Sequence, residues 1–238
     1  MDNAAYATLT RQTGLRSELH TLAHNVANVS TVGFQREALI FSEYVERVGD
    51  TGEGLSMAAA RARLTDRSQG QLVQTGGQFD LAIEGEGYFL VDTPDGEQLT
   101  RSGSFAPNAA GELVAPDGAR LLDSGRAAVF IPDGVKTVHI APDGSLSVDG
   151  APLGEIGLFV PDDPVKMNRA AGSRFSVDGD IVEQPEPRMA QGYLEQSNVD
   201  PVLEISRLIE VQRAYETGRN FLNAEDDRIR NVIRTLSS

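Results

Sequence analysis

Apolar positions follow two rhythms along this chain, a helical one at each end and short runs between turns in the middle. Near the start, Leu15, Leu19, Leu22, Val26 and Val29 recur at steps of four, three, four and three. That spacing puts them on one narrow stripe of a helix. Ala5 to Val29 has no proline and a single glycine, and Arg11, Arg16, Glu18 and Thr21 fall on the opposite side. Ser30-Thr31-Val32-Gly33 supplies the stop, because glycine suits the backbone just past a helix, so the predicted helix ends near Val29.

The other end repeats the pattern. Asp200 is suited to cap a helix, Pro201 to begin it, and Glu204 to its first turn, where the helix dipole favours negative charge. Leu208, Val211, Tyr215, Leu222, Ile229, Val232 and Leu236 share one three-four phase, which Gly218 and Glu225 interrupt; Ile205, Ile209 and Ile233 widen the stripe. Arg228, Arg230 and Arg234 sit in the closing turns, where positive charge is favoured. The prediction is a helix of about 35 residues, about 50 Å long. Pairing the two helices still leaves an apolar face open, while backbone entropy opposes ordering them. The ends are therefore expected to be mobile in an isolated chain and to order when neighbouring subunits cover them.

Between the helices the texture is that of β-structure. Asp-Gly pairs stand at Asp95-Gly96, Asp117-Gly118, Asp133-Gly134, Asp143-Gly144, Asp149-Gly150 and Asp178-Gly179. Strand-like runs flank them, among them Gly87 to Val91, Val135 to Ile140 and Ile156 to Val160. Closely spaced turns of this type favour hairpins and hence antiparallel pairing. Residues 35–78 read as an extended connector, with a short helical piece around Ala38 to Val48 and a glycine-rich stretch at Gly49 to Gly54. The expected class is α+β, with terminal helices forming a coiled-coil-like bundle and a central all-β antiparallel domain. The expected divisions are 1–34, 35–78, 79–190 and 191–238.

Charge and composition narrow the function. A net charge of -14 without a basic stripe argues against nucleic acid as a partner. With no cysteine there is no disulfide, thiolate nucleophile or zinc-thiolate site. The N-terminus lacks the pattern of a cleaved secretory signal and no run reaches membrane-spanning length, so direct membrane insertion is not expected; composition alone points to the cytoplasm.

Candidate chemistry is sparse. His20 and His24 stand one helical turn apart, as metal ligands would, but Thr21 occupies the place where a metalloprotease motif needs glutamate, and the pair reads as surface or interface histidines. Asp80, Glu84 and Glu86 contain the carboxylates of a glycosidase pair but more simply mark a solvated strand entering a tight turn. His139 lies in a strand pattern with no serine elbow, and the Asp-Gly turns lack calcium-loop spacing. Asn28-Val29-Ser30 is formally a glycosylation sequon, without a secretory context to give it meaning. No catalytic group, metal site or cofactor is expected, and the apolar stripes are the strongest signal.

Three segments together resemble the flagellar rod and hook proteins. Leu22 to Phe34, reading LAHNVANVSTVGF, is similar to their ANNxANxxTxGFK signature. Gln74 to Phe89, with Thr100-Arg101-Ser102-Gly103-Ser104-Phe105 and Gly111-Glu112-Leu113-Val114, is similar to TGxxLDLAIxGxGFF and TRxGSF. Gln191 to Val202, with Gln212-Arg213-Ala214-Tyr215-Glu216, resembles LExSNVxPVxEM and QRAYE. His24 and Gln35 depart from the pattern, standing where a small or amide residue and a basic residue are common. The short length, the Met1-Asp2-Asn3 start and the stretch from Ile131 to Ser145 look most like the proximal-rod members, with distal-rod members next.

The resemblance implies a structural, non-enzymatic subunit of the basal-body rod crossing the periplasm. Such subunits leave the cell unfolded through the flagellar type III export apparatus and assemble with copies of themselves and other axial rod proteins into a helical drive shaft around the export channel. By the same resemblance, Asn25, Asn28, Gly33 and Phe34 shape the end of the first helix, while Asn198, Pro201, Gln212, Arg213 and Tyr215 seat the second among its neighbours. The alternatives are a distal rod or hook subunit, or a secreted carbohydrate-binding or hydrolysing β protein.

Overall fold

The computed structural model describes residues 2–47 and 54–236, with side chains described for 8–40 and 63–236. The chain forms two compact units. The first gathers residues 1–29, 36–67 and 199–238, and the second residues 30–35 and 68–198.

The first unit contains α1 (Asp2–Ala27), the hairpin of β1 (Glu37–Arg47) and β2 (Gly54–Thr65), and α2 (Pro201–Leu236). The helices run antiparallel side by side, with Gln12 beside Tyr215 and Asn25 beside Glu204. Asp200 caps α2, its carboxylate accepting from the amides of Val202 and Leu203 at 2.9 and 3.1 Å. The expected helical piece around Ala38 to Val48 is instead strand from Glu37 to Arg47; Val48 and the glycine-rich stretch as far as Glu53 lie outside the described residues. Leu39, Ile40, Phe41, Tyr44 and Val45 form a branched and aromatic run, and β1 pairs antiparallel with β2 from Glu37 to Arg47 with a register shift between Ile40 and Phe41.

The second unit is antiparallel throughout its paired strands. A seven-stranded sheet has the order β14-β15-β6-β5-β9-β8-β7. Its members in chain order are β5 (Phe89–Thr93), β6 (Gly96–Thr100), β7 (Ala106–Pro107), β8 (Leu113–Val114), β9 (Arg120–Leu121), β14 (Met167–Arg169) and β15 (Arg174–Val177). Strands β10 (Val138–Ile140), β11 (Ser145–Val148) and β12 (Ala151–Glu155) make a three-stranded sheet. Three pairs complete it: β3 (Leu72–Gln74) with β18 (Tyr193–Glu195), β4 (Leu81–Ile83) with β17 (Met189–Gln191), and β13 (Phe159–Pro161) with β16 (Ile181–Glu183).

The Asp-Gly pairs at 95–96, 117–118, 143–144 and 149–150 each join strands that pair as neighbours, as hairpin chemistry requires. Asp178-Gly179 lies between β15 and β16, which belong to different sheets, and Asp133-Gly134 lies in the loop before β10. The apolar run entering β5 is buried on both sides. Phe89 and Val91 enter a core with Leu81, Ile83, Leu113, Leu121, Ile156 and Leu158, while Tyr88 and Leu90 enter a second with Leu99, Phe159 and Phe175. Alternation along a strand sends successive side chains to opposite faces, which explains one run serving two cores.

Candidate assembly interface

Where the helical unit closes on itself, a buried polar hub holds α1, the start of β1 and the first turn of α2 together. The Asn25 amide nitrogen donates to the Glu37 carbonyl at 2.8 Å and to Glu204 Oε2 at 3.1 Å, and its oxygen accepts from the Glu37 amide at 3.0 Å. Arg36 Nε donates to the other Glu204 oxygen. Glu204 is 0% exposed, and each of its carboxylate oxygens meets a side-chain donor, as a buried polar group requires. The sequence placed Glu204 at the helix dipole; its principal partners are these two side chains. His24 Nδ1 lies 3.5 Å from Glu37 Oε2, and Asn28 closes the helix end by donating from its side chain to the His24 carbonyl at 2.8 Å.

Along the helix pair the predicted stripes separate into covered and open parts. Leu22 and Val211 are buried, and Leu15, Leu19, Val26, Val29, Leu208, Tyr215 and Leu222 are half-buried. Ile229, Val232, Ile233 and Leu236 are exposed, Ile233 to 60% and Leu236 to 83%. Val202, Leu203, Ile205, Ile209 and Phe221 are exposed as well, so apolar surface runs the length of α2. Arg207 joins the helices by donating to Glu18 at 2.9 Å. Pro201, Gln212 and Arg213 are exposed, and Gln212 bonds along its own helix, to Glu216 at 3.1 Å.

The remaining predicted residues belong to the β unit. Gly33 has φ +66°, and a Cβ there would meet Ser102 N at 2.2 Å. Its amide donates to the Glu195 carbonyl at 2.8 Å. Phe34 is 1% exposed and lies 4.5 Å beneath the Arg169 guanidinium, which also sits 4.7 Å from the Phe175 ring and donates to the Gln35 carbonyl. Gln35 in turn accepts from the Tyr88 hydroxyl at 3.1 Å. Gly33 and Phe34 therefore anchor the chain into the β unit beyond α1, which ends at Ala27. Asn198 donates to the Ser68 carbonyl at 2.9 Å, and its amide to the Phe34 carbonyl at 3.3 Å, tying together three passages of the chain. Sequence reasoning missed Arg36 and Arg169, whose partners Glu204 and Gln35 lie far away in the chain, and Glu37, which meets Asn25 across the turn that follows α1.

Glu195 is buried beside these passages. Arg101 Nε stands 3.5 Å from its carboxylate, and the Gly70 amide donates to it at 3.0 Å. Burial outweighs both and raises its pKa above the ordinary glutamate value. The weighed chemical candidates stay apart: Glu84 and Glu86 are exposed in a turn, His139 is exposed on β10, and Asp80 accepts from Thr75. Among the described residues no group of three or more His, Cys, Asp or Glu is arranged to hold a metal, and no helix is long and apolar enough to cross a membrane.

Known sequences decide the family. The flagellar basal-body rod protein FlgF of Caulobacter vibrioides is 38% identical over 243 residues, covering 99% of this chain and 98% of that protein. The chain belongs to the flagellar basal-body rod protein family. FlgF of Mesorhizobium japonicum is 34% identical over 100% of the chain and 99% of its own length, and the rod protein FlgG of Bacillus subtilis is 26% identical with 98% of each covered. Residues 82–148 match the flagellar hook protein FlgE/F/G D1 domain, and residues 190–235 the flagellar basal body rod FlgEFG protein C-terminal domain. The family is structural, and this rod protein localises to the flagellar basal body.

Charge divides unevenly between the units of the rod protein. Residues 30–35 and 68–198 hold 20 of the 35 acidic residues but 8 of the 21 basic ones, for a net -12 out of -14. The helical unit keeps the remaining -2 and is nearly neutral.

Proposed function

We propose that this rod subunit belongs to the proximal rod and builds it by burying the open apolar face of α2 against the helices of neighbouring subunits. The observation that carries this reading is the exposure of Ile229, Val232, Ile233 and Leu236 in the last third of a 36-residue helix. Apolar area taken from water contributes about 25 cal/mol per Å², so a face this long is a favourable surface to cover. The near-neutral helical unit suits close approach of many copies, while the acidic β unit resists non-specific association.

In this reading the terminal helices of successive subunits form a coiled-coil-like bundle around the export channel. Contacts that repeat without closing into a ring generate a helical tube, the form a drive shaft requires. The interface comprises Leu15, Leu19, Leu22, Val26, Val29, Leu208, Val211, Gln212, Arg213, Tyr215, Leu222, Ile229, Val232 and Leu236. Asn25, Asn28 and Pro201 shape the ends of those helices, and Gly33, Phe34 and Asn198 act within the β unit. The subunit works by packing and not by catalysis, and it reaches the rod through the flagellar type III export apparatus. Similarity to FlgF proteins supports the proximal position; placement in the distal rod is the second reading, supported by the FlgG relatives.

Complementation of a deletion strain tests the reading. Wild-type chain is expected to restore swimming, and Ile233→Asp, which alters an exposed side chain, is expected not to. Equal swimming by both strains would remove the proposed role of α2.

A further inference from the structure

Gln12 occupies the three-four phase of α1, one step before Leu15, where an apolar residue is the usual choice. It is 8% exposed, and its amide nitrogen donates to the Tyr215 carbonyl at 2.9 Å. Opposite it, Gly218 interrupts the stripe of α2, although glycine inside a helix costs about 1 kcal/mol relative to alanine. A Cβ on residue 218 would fall 1.9 Å from Gln12 Nε2 and 3.1 Å from its Cδ. The two exceptions to the apolar pattern thus fill one another: the missing side chain on α2 is the space the Gln12 amide occupies. Gln12 Oε1 is buried with no donor among the described residues, so the arrangement is not optimised for stability.

We infer that Gln12 and Gly218 form a key and notch that sets the register of α1 against α2, and thereby the alignment of the apolar face presented for assembly. A slip by one helical turn would put the Gln12 amide against an apolar side chain and leave both its polar ends buried without partners. Apolar pairs alone penalise such a slip weakly, because Leu, Val and Ile replace one another in the contact. A single buried polar group at a stripe position is a known way to fix register at some cost in stability. In its consequence for assembly the inference rests on the rod-subunit reading; the register itself does not.

The experiment uses the full chain in four forms: wild type, Gln12→Ala, Gly218→Ala and the double variant. A reporter pair, Glu18→Cys with Arg207→Cys, is added to each for cross-linking, in a protein that otherwise has no cysteine. Gly218→Ala is expected to slow formation of the 18–207 cross-link several-fold and to shrink the swimming halo of a complemented strain, although it improves helix propensity. In the Gln12→Ala background the same change is expected to be neutral or beneficial to both readouts. Equal cross-linking by wild type and Gly218→Ala, or impairment by Gly218→Ala that persists without Gln12, would overturn the inference. Normal swimming by the deletion strain would instead count against the rod reading, and the cross-linking rates would still decide the register.

Discussion

The side-chain amide of Asn25 donates to the carboxylate of Glu204 at 3.1 Å across 179 positions of sequence, joining the end of α1 to the beginning of α2. The same amide reads both backbone polar groups of Glu37. One small side chain therefore fixes how the connector leaves one helix and where the other begins. Asn25→Ala is expected to destabilise the helical unit by about 2–4 kcal/mol, because it strips partners from buried groups that each cost about 1–3 kcal/mol when unsatisfied. Thermal unfolding followed by the helical signal checks this, and a loss below about 0.5 kcal/mol would contradict the hub.

Order along α2 should follow the distance from that hub. Amides near Glu204 and Val211 are expected to exchange hydrogen slowly in the free subunit, and those of residues 225–236 much faster. Exchange mass spectrometry checks this, together with circular dichroism on a demonstrated monomer. Uniform protection along α2 would mean that ordering of the terminal segments does not wait for neighbours.

Gly33→Ala is expected to prevent correct docking of residues 30–35 onto the β unit. Its φ of +66° costs an L-residue about 1–2 kcal/mol, and the added methyl collides with the backbone at Ser102, which has no freedom to retreat. Limited proteolysis is expected to show rapid cleavage near residue 33 in the variant and protection in the wild type.

Leu208→Asp and Leu222→Asp are expected to block motility and rod completion while leaving the β unit folded, because both half-buried side chains lie in the helical unit. A protease-resistant fragment spanning residues 68–198 in both variants checks the second part. Normal swimming would contradict the first.

The raised pKa of Glu195 makes a prediction with a definite sign. A carboxyl whose folded pKa lies above its unfolded value binds protons more tightly when folded. Its favourable contribution is therefore fully present below the unfolded pKa and is lost as pH rises through the folded one. Denaturation of the wild type across mildly acidic pH is expected to show this component, and Glu195→Gln to lack it. At neutral pH the Gln variant is expected to be at least as stable as the wild type, because burial penalises the Glu195 charge by more than Arg101 and the Gly70 amide favour it, and Gln reproduces the neutral form.

Local pattern carried much of this architecture. Asp200 and Pro201 marked the start of α2 to the residue, and its period ran on to Leu236, because caps and helical spacing act within a few residues. Asp-Gly pairs marked four hairpins for the same reason. The strand at Glu37–Arg47 escaped, since a short apolar run is ambiguous until its partner is known and β2 begins beyond an intervening stretch. The hub escaped for a related reason: nothing near Glu204 in sequence announces Asn25 or Arg36. Gly218 was visible as an interruption, but its meaning required Gln12 on the other helix.

The central claim is that this chain is a structural element of the rod. Electron microscopy of basal bodies from a strain lacking the gene, with motility scored in parallel, tests it most directly. The account predicts an intact membrane ring carrying a missing or truncated rod, in non-swimming cells. Complete rods in swimming cells would contradict it.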